Sequence, residues 1–517
     1  MTSSRTLPRR FRLPAAHLPA AGVLGLAALG AVAQEATGAR TLSLTSDVSL
    51  SQTFTDNLDP DSGGPKRGGS ITEVTPHVHF DSRGGRVKGY IDYSLSGLYY
   101  GGGVSSGETQ HALDANMTVE AIQDRGFVDV RASVSQQSVS AFGTQSADTS
   151  QRNGNQAQVA TLDVQPYLRG MISDLAQYEA RLRYAKTRGD TTGDGDSTTS
   201  AQTLHFGSIR PEARLGWTFD ASNNRIDYTE SRPSEISRVG GGLIFAATPE
   251  LRFTARTGRE VNNVVSEERE GNNTPGWGFS WTPSDRTHVS FDRDRRFFGQ
   301  SHAFNLEYRT PRSVWRYTDT RDIGSDATTN GSGGRGLSNF DDLFGKLATV
   351  VPDPALRAQI VNAVLLANGR DPAARAQGSF LNNAITVERR QALSLALIGI
   401  RGTVTLSVSK GETSRLDSTS TANDDLANGN VLNQLGFTAD VGYRLTPLSS
   451  LNVAGSREKS TGSVDGREAD LRSLTVTWST RLNPKLTVSL GARHASFESN
   501  INPYTETAII GTATLQF

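Results

Sequence analysis

The segment Ile509-Ile510-Gly511-Thr512-Ala513-Thr514-Leu515-Gln516-Phe517 places Ile509, Gly511, Ala513, Leu515 and Phe517 on alternate positions, with Thr512, Thr514 and Gln516 on the other face. Successive side chains of a strand point to opposite sides, so a period of two marks a strand with one apolar and one polar face. The same period runs back through the chain. Leu474, Val476 and Trp478 alternate with Thr475, Thr477 and Ser479. Leu435, Phe437, Ala439, Val441 and Tyr443 alternate with Gly436, Thr438 and Asp440. Tyr178, Ala180, Leu182 and Tyr184 alternate with Glu179, Arg181 and Arg183, and Val128, Val130, Ala132 and Val134 with Asp129, Arg131 and Ser133. Such segments run to roughly 9–15 residues, against ~5–6 in ordinary sheets. A tilted strand crosses a bilayer in about 9–11 residues.

The connections alternate too. Short turns such as Ser82-Arg83-Gly84-Gly85, Gln123-Asp124-Arg125-Gly126, Thr248-Pro249-Glu250, Thr446-Pro447-Leu448-Ser449 and Leu482-Asn483-Pro484-Lys485 are built from turn-forming residues. Between them lie longer Gly/Ser/Thr/Asn-rich loops, near 59–69, 101–109, 140–155, 188–200, 262–273, 414–430 and 460–467. Tight turns on one rim and long loops on the other are the habit of an outer-membrane barrel. The spacing predicts an all-β fold, a transmembrane antiparallel barrel of about 22 strands (roughly 18–24). The last strand ends on the aromatic Phe517, which reads as a signal for the barrel-assembly machinery.

Composition narrows the alternatives. The 517 residues carry 53 Lys+Arg against 53 Asp+Glu, so no broadly basic surface offers itself to nucleic acid. There is no cysteine, which excludes disulfides and cysteine-held metal centres. Near the N-terminus Arg5, Arg9, Arg10 and Arg12 precede a small apolar run from Ala20 to Ala33, which ends Ala31-Val32-Ala33. This predicts a secretory signal peptide over 1–33, cleaved on export. One barrel domain then fills 34–517. With its first strand near Thr41, it has no room for an N-terminal plug domain.

One stretch, 322–382, breaks the period and reads as a helical insert in a long outer loop. Phe340–Val350 has helical spacing. A second helix opens at Asp353-Pro354, with Asp at the N-cap and Pro at the first helical position. It carries Leu356, Ile360, Val361, Val364 and Leu365 on one face and stops at Gly369. That apolar stripe predicts either a lid or plug folded into the lumen or a helical hairpin packed on itself at the rim.

If the apolar positions face lipid, the alternate ones face the lumen. The candidate lumen-lining residues are Glu179, Arg181, Arg183, Arg210, Glu212, Arg214, Arg252, Arg256, Glu307, Glu388, Arg390, Asp440, Arg444 and Arg493. Asp129, Asp163, Arg225 and Asp227 share the same expectation. Guanidinium groups interleaved with carboxylates suit a hydrophilic pore that hydrogen-bonds sugar hydroxyls or anions. They equally suit a ladder of paired charges that stiffens the wall. Tyr99, Tyr100, Phe142, Trp217, Trp277, Trp281, Trp315, Tyr443, Trp478 and Tyr504 read as interfacial aromatics. His77 and His79 share a strand face, but no third metal ligand is evident. No catalytic motif stands out, and no catalytic residue, metal or cofactor is assigned.

Several stretches together resemble the outer-membrane proteins associated with exosortase/PEP-CTERM systems. They are Ser51-Gln-Thr-Phe-Thr-Asp-Asn-Leu58, Ile71-Thr-Glu-Val-Thr-Pro76, Asp129-Val-Arg-Ala-Ser-Val-Ser-Gln-Gln137, Trp281-Thr-Pro-Ser-Asp-Arg-Thr287, Arg309-Thr-Pro-Arg-Ser-Val-Trp315 and Asp353-Pro-Ala-Leu-Arg357. The resemblance implies an outer-membrane barrel tied to surface polysaccharide or exported-protein biogenesis, and supplies no mechanism. The leading expectation is a porin-like channel for polysaccharide or another hydrophilic solute. The alternative is a non-enzymatic scaffold whose outer loops bind polysaccharide or exported proteins; a barrel hydrolase comes third. The expected partners are outer-membrane lipid, the barrel-assembly machinery and polysaccharide or its export components.

Overall fold

The computed structural model describes residues 42–61, 64–102, 106–190, 196–209, 214–229, 231–324, 328–329, 380–382, 384–417, 424–464 and 466–517. The strands follow one another in antiparallel hairpins: β1 (Leu42–Thr55), β2 (Gly69–Ser82), β3 (Val87–Gly101), β4 (Ser106–Ile122), β5 (Gly126–Ser138), β6 (Gln156–Ile172), β7 (Ala176–Gly189) and β8 (Ser197–Ser208). Next come β9 (Leu215–Tyr228), β10 (Ser234–Ala246), β11 (Leu251–Asn262), β12 (Glu270–Asn273), β13 (Gly276–Ser284), β14 (Thr287–Arg296), β15 (Gly299–Arg309) and β16 (Ser313–Gly324). After β17 (Thr328–Thr329) and β18 (Phe380–Leu381) the wall resumes with β19 (Thr386–Ile398), β20 (Gly402–Arg415), β21 (Val431–Arg444), β22 (Ser449–Gly462), β23 (Glu468–Arg481), β24 (Leu486–Ser499) and β25 (Tyr504–Gln516).

Two irregularities reduce these 25 strands to 22 wall positions. β12 and β13 both pair with β11 and form one position, broken at Thr274-Pro275, where Pro275 has no N–H to give the ladder. β17 and β18 pair with each other away from the main ladder, and Phe380 lies beside Ser138 of β5. The barrel closes where β1 meets β25, from Asp47 opposite Gln516 to Thr55 opposite Ala508. Closure leaves no open edge, and that is how a sheet satisfies its backbone in lipid.

Residues directly opposite across a ladder share a face, so one assignment propagates around the wall. Leu50, Phe54, Leu182, Trp217, Leu243, Phe253, Trp277, Leu393, Phe437, Leu474, Leu490 and Ile509 stand exposed on the outer face. That belt is unfavourable in water and is satisfied by hydrocarbon. Only one face needs to be apolar, which is why 36% hydrophobic residues suffice.

The turns divide as the spacing predicts. Gly85, Asp124 and Ser173 take positive φ in tight connections on one rim, where the two chain ends of the wall also lie. The opposite rim carries the long connections such as 56–68 and 139–155, beside short ones such as Phe297-Phe298 between β14 and β15 and 500–503 between β24 and β25.

The expected signal peptide (1–33) and the helical residues Leu356, Ile360, Val361, Val364 and Leu365 lie outside the described residues. The edges of the insert differ from expectation. Asp322, Ile323 and Gly324 complete β16 opposite Glu388, Val387 and Thr386, and Phe380-Leu381 is a strand, so the insert is narrower than 322–382 at both edges. The helical stretches expected at Phe340–Val350 and from Asp353 to Gly369 lie outside the described residues.

Candidate functional site

The inner wall is lined with charge, and much of it is paired. Arg181 donates to Asp129 (2.9 Å) and Glu179 (3.0 Å), with its guanidinium 3.9 Å from the Tyr167 ring centroid. Arg183 donates to Asp163 at 2.8 Å. Arg256 bridges Asp292 (2.7 Å) and Asp294 (3.2 Å), and Arg296 bridges Glu260 (2.7 Å) and Asp322 (2.8 Å). Glu307 accepts from Arg309 (2.7 Å) and Arg316 (3.2 Å). His77 sits between Asp47 (2.8 Å) and Asp92 (3.1 Å), and Asp92 also meets His79 (2.9 Å). Among the described residues no cluster of three or more His, Asp and Glu has the arrangement of a metal site.

Register places Glu179, Arg181, Arg183, Arg256, Glu307, Glu388, Arg390, Asp440 and Arg493 on the inner face. Arg252 and Arg444 share that face but lie at the short-turn rim, and Arg214 belongs to the exposed turn before β9. Arg210 and Glu212 lie outside the described residues. Arg225 and Asp227 correct the expectation. They sit opposite Ser200 and Thr198, in line with Tyr184 and Lys186 of the outer face. The period of two is unbroken along β9, so their parity follows Trp217 and Phe219, and they leave the apolar belt only because they lie near the loop-side end.

The second component of the site is a lid. The connection from β5 to β6, residues 139–155, folds inward, and Ala141, Phe142, Thr144, Ser150 and Gln151 are buried in it. A buried loop must satisfy its own backbone polar groups. Here Asn155 donates to the carbonyls of Ser140 and Thr144, Gln145 to those of Ser140 and Gly143, and Asn153 to that of Thr144. Gly143 is required, because a Cβ there would stand 2.4 Å from the Asn155 side chain.

This loop is tied to widely separated parts of the wall. Asp148 is paired with Arg493 in the middle of β24; Arg493, only 5% exposed, also holds Glu506 at 2.9 Å. Tyr100 of β3 donates to the Ser150 carbonyl (2.9 Å) and Tyr504 to that of Gln145 (2.7 Å). Asp61 accepts from Thr144 (2.6 Å), the Gly154 N–H (3.2 Å) and Asn502 (3.2 Å). Asp425 accepts from the Ala141 N–H (2.6 Å), Ser140 (2.8 Å) and Arg467 (3.2 Å), and Arg467 stacks on Phe142 at 4.3 Å.

Ala141 and Phe142 pack with Phe380, Leu426 and Leu432, the last on β21 itself. From β5 to β21 the wall runs through β4, β3, β2, β1, β25, β24, β23 and β22, so the two strands are nine steps apart on a 22-position wall. The loop therefore spans the mouth. Across the rest of the mouth Ile226, Tyr228, Ile236 and Val264 meet Ile385 in a second buried cluster.

Two carboxyls at the lid, Asp148 within it and Asp425 of the β20–β21 connection that holds it, are perturbed in opposite senses. Burial raises the Asp148 carboxyl, but the Arg493 guanidinium and the Ser150 N–H outweigh it and hold the group below the usual range. Burial pushes the Asp425 carboxyl above its usual range, against the pull of the Ala141 N–H, Ser140 and Arg467.

Three expected interfacial aromatics face inward instead and are buried: Phe142 (2% exposed) in the lid, and Tyr100 (1%) and Tyr504 (8%) on the wall that holds it. Tyr99, Trp217, Trp277, Trp281, Trp315, Tyr443 and Trp478 do stand on the outer face. Tyr100 differs from Tyr99 by one position, which is the whole difference between lumen and lipid on a strand. The lid residues Ser140, Asp148, Ser150 and Asn155 were not singled out from the sequence. The density of Asn, Ser, Gln and Asp in 138–156 is their only signal, and an exposed loop would share it.

A closed 22-strand wall, an outward apolar belt and a charged interior under a loop lid define a large transmembrane β-barrel of the outer-membrane type. No family model and no curated protein matches the chain. Among solved structures it is similar to the FrpB iron transporter of Neisseria meningitidis (F5-1 variant), at 11% identity over 92% of this chain and 82% of that one, TM-score 0.48. It is also similar to the siderophore receptor PirA of Pseudomonas aeruginosa, at 11% identity over 92% and 80%, TM-score 0.43. The PirA of Acinetobacter baumannii matches at 10% identity over 91% and 80%, TM-score 0.43. Likenesses of this size carry no argument about activity, and the barrel rests on its own strand pairing.

Proposed function

We propose that this protein is a loop-gated outer-membrane channel for a hydrophilic solute, with polysaccharide as the solute class and surface-polymer biogenesis as its setting. The observation that carries the reading is the 139–155 loop, spanning the mouth and held by separate polar ties at Arg493, Tyr100, Tyr504, Asp61 and Asp425. Polar ties between a loop and a wall can be exchanged for ties to a solute or to water, so a lid of this kind can open. The paired guanidinium and carboxylate groups below it offer both donors and acceptors to sugar hydroxyls. The resemblance to exosortase/PEP-CTERM-associated barrels supports the choice of polysaccharide.

Efflux of a neutral oligosaccharide from proteoliposomes tests the reading. The intact chain should leak slowly, and the Arg493→Met/Tyr504→Phe chain, which loses two of the ties, should leak several-fold faster. No efflux from either, with both barrels folded by the shift in electrophoretic mobility on heating, would overturn the channel and leave the scaffold.

A further inference from the structure

The outer face carries a second feature, independent of the lid. Toward the loop-side rim, above Trp277, Phe291, Phe304 and Tyr317, the register sets Arg293 opposite His302, His302 opposite Arg321, and Arg321 opposite Arg389. All four lie on the outward parity of the aromatic belt. Arg295 adds a further guanidinium on β14, and Lys410 lies on β20 beside them. The carboxylates of the patch are Asp319 and Glu412, so five Lys and Arg face two acids.

Like charges directly opposite on a sheet repel, and the same barrel shows how it normally resolves that. On β22 and β23, Arg457 is opposite Arg472, and the nearly buried Asp470 bridges them at 2.7 and 2.8 Å. At Arg321 and Arg389 no such bridge exists among the described residues. Asp319 takes only Arg389 (3.3 Å), with Gln391 and His302 as its other partners. Arg321 donates to the Gln300 carbonyl and lies 5.4 Å from the Phe298 ring centroid, and Arg293 donates to the Gln300 side chain at 3.0 Å. Both are thus positioned by neutral groups, with guanidinium edges unspent.

We infer that the outward patch of Arg293, Arg295, Arg321 and Arg389 seats the phosphate groups of a phosphorylated glycolipid in the outer leaflet, with the acyl chains lying on the aromatic belt below. Three features select that occupant. The patch faces away from the lumen, so a transported solute does not meet it. It borders the apolar belt, where a lipid headgroup must lie. Its donors are guanidinium forks, which match phosphate oxygens in pairs. The phosphate would stand between Arg321 and Arg389 as Asp470 stands between Arg457 and Arg472.

The test is binding of lipopolysaccharide to the full chain in detergent micelles, with the Arg321→Gln/Arg389→Gln variant beside it. The intact chain should bind lipopolysaccharide about tenfold more tightly than the variant, and lipopolysaccharide stripped of its lipid phosphates should bind the intact chain as weakly as the variant binds the native lipid. The variant removes a repulsion, so it should fold; heat-modifiable mobility checks that. Equal binding by both chains, or binding indifferent to the lipid phosphates, would overturn the inference. So would displacement of the lipid by soluble polyphosphate, which would make the patch a site for a free polyanion.

Discussion

Arg493 joins wall and lid through two carboxylates, Asp148 of the loop and the fully buried Glu506 of β25. Removing one partner from such a buried set leaves charge uncompensated and costs about 3–5 kcal/mol. Arg493→Met should therefore speed amide exchange across residues 141–152 while the wall strands keep their protection; unchanged exchange in the loop would show that the lid does not depend on this tie. The pH response follows from the two perturbed carboxyls, Asp148 in the lid and Asp425 against it. Asp425 is raised, so its charged form opposes the closed state, and acidification from neutral pH should first tighten the lid as that charge is relieved. Asp148 is lowered, so its stabilisation is full above the ordinary carboxylate value of about 3.9 and is lost as pH falls through the lowered one. Loop protection, corrected for intrinsic exchange, should pass through a maximum in mildly acidic solution and fall below about pH 4. Protection that climbs steadily to the most acidic pH would contradict it.

At the level of elements, β11, β13 and β14 show how the wall makes room for charge. Gly276 lies opposite both Arg256 and Asp294, and Gly278 opposite Asp292. A Cβ at Gly276 would stand 1.7 Å from an Asp294 carboxylate oxygen, and one at Gly278 2.4 Å from Asp292. Gly276→Val should displace Asp294 from Arg256 and destabilise the barrel by about 1–3 kcal/mol, read as a lower urea midpoint; an unchanged midpoint would show that the ion cluster does not need that space. The strands themselves were legible in the sequence, because period two with one apolar face is a local signal. Strand parity then located Glu179, Arg181, Arg183, Arg256 and Glu307 on the inner face. Parity also identifies Arg225 and Asp227 as outward, but a charge invites an inward reading when height in the membrane is unknown. The role of 139–155 was not legible. Its partners Arg493, Leu432 and Asp61 are far away in the chain, and no periodicity records which wall a loop will touch.

For the whole molecule, the strand number and alternating rims followed from hairpin counting, and closure through β1 and β25 needed only the terminal strand to be read correctly. Whether so wide a wall encloses an open pore depends on what crosses its mouth. Two buried apolar clusters and a set of polar ties do so, at Phe142 with Leu432 and at Ile226 with Ile385. Single-channel recording in a planar bilayer tests this most directly, comparing the intact chain with one in which residues 141–152 are replaced by a short Gly-Ser linker. The account predicts a mostly silent intact protein with rare brief steps, and large, stable steps after the replacement. Equally large and stable steps from both chains would contradict it.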